Sequence, residues 1–167
     1  MRREAFLKAG GYREVFFYMG EEADLCIRML NRGLLVRLGC ADPIHHYQPK
    51  GRISFAADFF GRQNDVLFLV YNAPSRHLSV FLLATTIKGL WYGLRIGRLG
   101  TMVRGLLRGY VLAIRERRNR RPVSAVCFRC FRKLKRQGAM RMEECLRHVQ
   151  GKHDLTTFAQ SSVQIAE

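Results

Sequence analysis

Residues 20–33 read GEEADLCIRMLNRG, and they hold three of the thirteen carboxylates of a 167-residue chain whose formal charge is +16. The stretch predicts a helix opening after Gly20 and closing at Gly33, a residue that can take the left-handed conformation past a last helical turn. Glu21, Glu22 and Asp24 would complement the partial positive charge of its N-terminus. Asp24 and Arg28 stand i, i+4 and can pair across one turn. On that reading the acids are caps and surface charges. A helical wheel at about 100° per residue separates them, however. Leu25, Cys26 and Met29, extended by Leu30, share one face with Glu22 near its middle, while Glu21, Asp24 and Arg28 fall on the other side. A carboxylate on the apolar face of a first turn is either a costly accident or a group aimed into a cleft, where it suits a general base.

Working outward, residues 3–9 predict a short helix ended by Gly10-Gly11, and residues 12–18 an aromatic loop or short helix. Residues 34–38 form a short apolar run that predicts a β-strand. ADPIHHYQPKGR, residues 41–52, is a loop, and residues 53–72 predict a helix. Residues 77–119 are apolar and studded with arginine. Their longest run without Lys, Arg, Asp or Glu, residues 77–87, is too short for a membrane span, which needs about 20 apolar residues. Lys88, Arg95 and Arg98 share one face, whereas Arg104, Arg108 and Arg115 share another roughly opposite. The segment therefore predicts two amphipathic helices broken near Gly97-Arg98-Leu99-Gly100. A third follows Pro122, at about 123–137.

Charge divides the chain. Residues 1–75 carry ten Lys/Arg against eight acids, residues 76–138 sixteen against one, and residues 139–167 three against four. The step falls near Asn72-Ala73-Pro74-Ser75. Three regions are expected: a domain over 1–75, a basic helical extension over 76–138, and a tail over 139–167, patternless from Gln150 and a candidate for disorder. Five cysteines, an odd number, with charged residues 1–8 and no secretory h-region, point to a reducing compartment rather than a disulfide framework. Cys127, Cys130, Cys145 and His148 have the spacing of a four-ligand zinc site. CFRC lacks the Gly or Pro of a knuckle, and its cysteines are expected on the buried side of a helix instead.

Residues 9–28, AGGYREVFFYMGEEADLCIR, resemble the acceptor-side motif of inverting family-two glycosyltransferases of the GT-A fold: a Gly-Gly-aromatic turn, an aromatic pair, an acidic pair, then x-Asp-Leu and an Arg. The resemblance continues through Gly33, residues 34–38, Pro43-Ile44-His45-His46 and Arg52. It reaches FFGRQNDVLFLVYNAP at 59–74, like the Arg-Asn segment of rhamnosyltransferase-like members. It is specific over 1–75 and looser over 76–138. It implies an α/β fragment, the C-terminal half of a Rossmann-like GT-A domain, followed by basic amphipathic helices. By the same resemblance Glu22 is the catalytic base, and Glu21 and Asp24 belong to the acceptor side. His46 is the metal ligand, with His45 as second choice there or beside the donor diphosphate, and Lys50 and Arg52 screen that diphosphate.

The implied activity is sugar transfer, with inversion, from a nucleotide-sugar donor to a hydroxyl of a glycan or lipid-linked acceptor, in cell-surface polysaccharide or glycolipid synthesis. The intact enzyme would use a divalent cation, Mg²⁺ or Mn²⁺. The family's Asp-x-Asp is missing from this chain, and Met1-Arg2-Arg3-Glu4 looks internal to the family pattern. A C-terminal fragment, inactive alone and holding no cofactor of its own, is therefore expected. The basic segment predicts an anionic membrane surface as partner and a cytoplasmic, peripheral location at its inner face. The rival class is a non-catalytic basic protein binding membrane or nucleic acid. RERRNRR invites the latter, but arginines alternating with Leu, Ile, Trp and Tyr disfavour it.

Overall fold

The computed structural model describes residues 2–36 and 55–150. Over them the chain is helical: α1 (Arg3–Lys8), α2 (Glu21–Leu30), α3 (Phe55–Asn72), α4 (Leu78–Arg95), α5 (Leu99–Arg115), α6 (Ala125–Gln137) and α7 (Met142–Gln150), with short 3-10 turns at Ser75–His77 and Glu116–Asn119. The expected α/β, Rossmann-like architecture is overturned, since no strand or sheet occurs among the described residues. Leu34 donates its backbone N–H back to Met29 O at 3.0 Å, closing the end of α2 around Gly33 at φ 77°. Leu34 and Leu35 then pack against helical clusters as partly buried side chains. A strand needs a partner ladder, and Leu34 and Leu35 find helix surfaces in its place, while Val36 is exposed. Residues 37–38, the rest of that run, lie outside the described residues.

α3 is the central element. Its buried positions, among them Gln63, Asn64, Val66, Leu67, Leu69, Val70 and Asn72, fall on several sides of the helix, the pattern of a helix packed all round. α5 lies along it. Gly105 and Gly109 face it at i, i+4, and a Cβ on Gly109 would stand 2.8 Å from the Gln63 carbonyl oxygen, while one on Gly105 would overlap the Phe59 carbonyl oxygen. α4 packs against both α3 and α5 through a second pair of glycines. A Cβ on Gly89 would meet Arg62 and Leu106, and one on Gly93 would stand 2.8 Å from Met102 Cγ. Glycine here lets helix backbones approach to a distance no other residue permits.

Two substitutions of the same kind therefore have opposite expected signs. Gly61→Ala, in α3 with open space around the new methyl, stabilises by up to ~1 kcal/mol through helix propensity. Gly105→Ala destabilises by ~1–3 kcal/mol through overpacking against backbone. Urea denaturation of both variants checks the pair, and a stabilised Gly105→Ala would refute the close approach.

The charge step near residue 72 coincides with the end of α3, yet the cores run across it. Val66, Leu67 and Val70 share a cluster with Leu106 and Ala113. Ile27, Leu30 and Leu69 share another with Cys127, Phe128, Cys130 and Cys145. Residues 142–150, assigned by sequence to the tail, form α7, which packs on α6 and carries Glu144 to Lys133 Nζ at 2.6 Å. Residues 151–167 lie outside the described residues. Among those described, no helix is long and apolar enough to cross a membrane.

Candidate active site

α2 starts from a constrained corner. Gly20 takes φ 91°, and Met19 before it takes φ 69°, the only described non-glycine residue with positive φ. Such a conformation costs of order 1 kcal/mol or more and persists where neighbours enforce it. Asn64, buried on α3, enforces this one: its Nδ2 donates to the carbonyl oxygens of Tyr18, at 2.8 Å, and Met19. Gln63 donates in turn to Asn64 Oδ1 at 3.1 Å.

One turn into α2 lies Asp24, 0% exposed. Its Oδ1 accepts from Arg13 Nη1 at 2.6 Å and Asn72 Nδ2 at 2.8 Å, and its Oδ2 from Arg28 Nε at 2.8 Å. Arg28 also donates from Nη1 and Nη2 to the carbonyl oxygens of Ala9 and Gly11, where Gly10 and Gly11 turn with φ 83° and 63°. Arg13 lies over the Tyr71 ring, 4.2 Å from its centroid, and the Tyr71 hydroxyl donates to Glu116 Oε2 at 2.8 Å. Burial pushes the Arg13 pKa down, opposed by the Asp24 charge. Burial and the bond to Glu116 push the Tyr71 hydroxyl well up, so it stays a donor. One carboxylate thus ties the Gly-Gly turn, α2 and α3 together, and Tyr71 carries the tie to the end of α5.

This overturns the orientation read from the wheel. Asp24, placed on the polar side, is buried, while Glu22, placed inward, is exposed. Glu22 does share a line with Cys26 and Met29. The side chains of α1 that cover that part of α2 pack on Leu25 and Met29, leaving the first turn open. Asp24, assigned to the acceptor side, has no exposed surface and three donors already on it, so it positions α2 and contacts no acceptor. Glu21 is half-buried, and its Oε2 is buried without a hydrogen-bond partner among the described residues. Exposed Glu22 and half-buried Glu21 therefore stand side by side on an anchored helix end. Aromatic side chains lead up to them: Phe17 is 79% and Tyr18 45% exposed, both against Phe60.

One turn along α2 from Glu22 is Cys26, whose thiol is pushed up by burial and by the Glu22 charge. Cys26 lines an apolar cavity of about 610 Å³, together with Leu30, Leu35, Phe131, Leu134 and Met140. The cavity thus lies along the same line of α2 as Glu22.

His45, His46, Lys50 and Arg52, the expected metal and diphosphate residues, lie outside the described residues. Among those described, no group of three or more His, Cys, Asp or Glu is placed to hold a metal ion, so no residue on view fits the implied divalent cation. Cys127 and Cys130 occupy the buried face of α6, as their sequence context predicts. Cys127 Sγ lies 3.6 Å from Ile27 O and Cys130 Sγ 3.7 Å from Cys145 Sγ. Burial first, then their neighbouring thiols, push Cys127 and Cys130 up to about 12. They are neutral packing groups.

Sequence reasoning missed Arg13, Asn64, Tyr71 and Asn72. Their signal is weak: Tyr71 and Asn72 end an apolar run, whereas Arg13 and Asn64 stand beside other polar residues, and neither context says which partner each takes. Comparison of the chain with protein-family models, with curated proteins and with solved structures finds no match.

Proposed function

We propose that this chain forms the acceptor side of a glycosyltransferase that moves a sugar from a nucleotide-sugar donor to an acceptor hydroxyl with inversion. The observation that carries the proposal is the placement of Glu22: an exposed carboxylate on a helix end whose position is fixed by the Asp24 and Asn64 hydrogen bonds. The residues around it, AGGYREVFFYMGEEADLCIR, carry the resemblance that names the reaction. The reading rests on this helix and not on a sheet. In the step proposed, Glu22 takes the acceptor hydroxyl proton as the oxygen attacks the anomeric carbon. The bond to the nucleoside diphosphate breaks on the opposite face, and the leaving group departs with the electron pair. Glu21, through its Oε1, accepts a hydrogen bond from a second acceptor hydroxyl, its Oε2 being buried. Exposed Phe17 and Tyr18 offer faces for the apolar side of a sugar ring. The cavity below Cys26 suits an apolar carrier, so a lipid-linked acceptor is favoured. The donor and its divalent cation are assigned to no described residue.

Titration tests this reading. Glycans and prenyl-linked glycans are expected to shift the amide NMR signals of Phe17, Glu22 and Cys26, the prenyl-linked ones at lower concentration. Nucleoside diphosphates with Mn²⁺ are expected to bind no tighter than millimolar by calorimetry. Micromolar diphosphate binding would place a donor site in this chain, and silence towards every glycan would remove the acceptor site.

A further inference from the structure

α4 is eighteen residues long and mostly apolar, yet its only buried residues are Gly89 and Gly93. Leu78, Phe81, Leu82 and Leu90 pack partly buried beside these glycines, and a second set of large apolar residues faces out. Val80, Leu83, Ile87, Trp91 and Leu94 are each 58–63% exposed. At about 100° per residue they fall within roughly 80° of arc, a continuous outer stripe. Exposed Lys88 and Arg95 border one edge of it, and the Arg95 guanidinium stands 5.7 Å from the Trp91 ring centroid. α5 repeats the pattern. Leu107, Val111 and Ile114 are 61%, 48% and 63% exposed, and exposed Arg104, Arg108 and Arg115 lie along one edge of that arc. An apolar surface of this extent on a folded protein marks an interaction site.

We infer that the outer face of the α4–α5 pair docks on an anionic lipid bilayer, with the α4 stripe inserted at the headgroup–acyl boundary and the bordering cations on lipid phosphates. Charge selects this occupant. Residues 76–138 carry sixteen Lys/Arg and one acid. A second copy of the chain would bring a like charge to the same face, whereas an anionic surface complements it. Nucleic acid complements the charge but leaves the stripe of Val, Leu, Ile and Trp in water, because the cations border the arc and do not interrupt it. A spanning mode is closed to these helices, since none is long and apolar enough. A helix with one apolar arc and a cationic edge lies in the interface plane. The inference does not rest on the proposed reaction.

Trp91 is the only tryptophan, so its fluorescence reports the face directly. The full chain is mixed with phosphatidylcholine vesicles with and without phosphatidylglycerol, and with duplex DNA, at low and high salt. The anionic vesicles are expected to shift the emission to the blue and carry the protein down on sedimentation. High salt should weaken this binding without abolishing it. Ile87→Asp, on the exposed stripe, leaves the circular dichroism unchanged and weakens vesicle binding roughly tenfold or more, on the scale of one lost apolar side chain. Lys88→Glu with Arg95→Glu removes most of the salt-sensitive part. Three outcomes would each overturn the inference: no shift and no sedimentation with anionic vesicles, full vesicle binding by folded Ile87→Asp, or light scattering showing a dimer that Ile87→Asp dissolves. A blue shift with DNA and none with vesicles would overturn it as well.

Discussion

Asp24→Ala is expected to cost about 3–5 kcal/mol of folding stability, the scale for removing one partner of a buried ion pair, and so to unfold a large share of the protein. The argument is local. Deleting the carboxylate strands the Arg13 and Arg28 guanidiniums, whose side chains are 19% and 11% exposed, and leaves Asn72 Nδ2 with only the Phe68 carbonyl. Two like charges then face each other with little water to screen them. Asp24→Asn keeps the volume and one acceptor and should fall between wild type and Ala. Arg28→Ala should cost more than Arg13→Ala, because Arg28 also holds the carbonyls of Ala9 and Gly11 and is the less exposed of the two. Urea denaturation of the four variants gives the ranking. A loss under about 1 kcal/mol for Asp24→Ala, the worth of an exposed pair, would show that the site is open in solution.

Most helices of this molecule, though not α7, are legible because their ends are written locally. The glycine at 33 closes α2, the Gly97-Arg98-Leu99-Gly100 break falls between α4 and α5, and Pro122 precedes α6, all as the sequence predicts. What covers each helix is not local. The wheel ranked Asp24 as polar and turned it outward. Its burial depends on Arg13, eleven residues before it, and Asn72, forty-eight residues after it, and no periodicity within α2 encodes either. The same failure, reversed, exposes Glu22. The expected sheet came from the order of motifs over residues 1–75. That order identifies a resemblance but supplies no strand partner for residues 34–36, of which Leu34 and Leu35 settle on helices. α4 shows a third limit. Its Lys88 and Arg95 mark it as amphipathic, but only the structure shows that the glycines face inward while Val80, Leu83, Ile87, Trp91 and Leu94 face out.

Glu22→Gln is the sharpest test of the proposed chemistry, and the exposure of Glu22 is what makes it clean. The side chain makes no described hydrogen bond or ion pair, so the substitution should leave stability within about 0.5 kcal/mol, as surface changes do. Any loss of turnover then belongs to the reaction. With a donor-binding half supplied in cis or in trans, Glu22→Gln should lower kcat by ~10²–10⁴-fold, the scale of general-base catalysis, with donor affinity little changed. Glu21→Gln should instead raise the acceptor KM, because it alters a hydrogen-bond acceptor beside the base and not the base itself. Asp24→Asn acts through the anchor of α2, so its loss of activity should track its loss of fold across a temperature series, and Glu22→Gln should show no such correlation. Near-full activity in Glu22→Gln, together with abolished activity in folded Glu21→Gln, would move the base to Glu21, the neighbouring carboxylate in the first turn of α2.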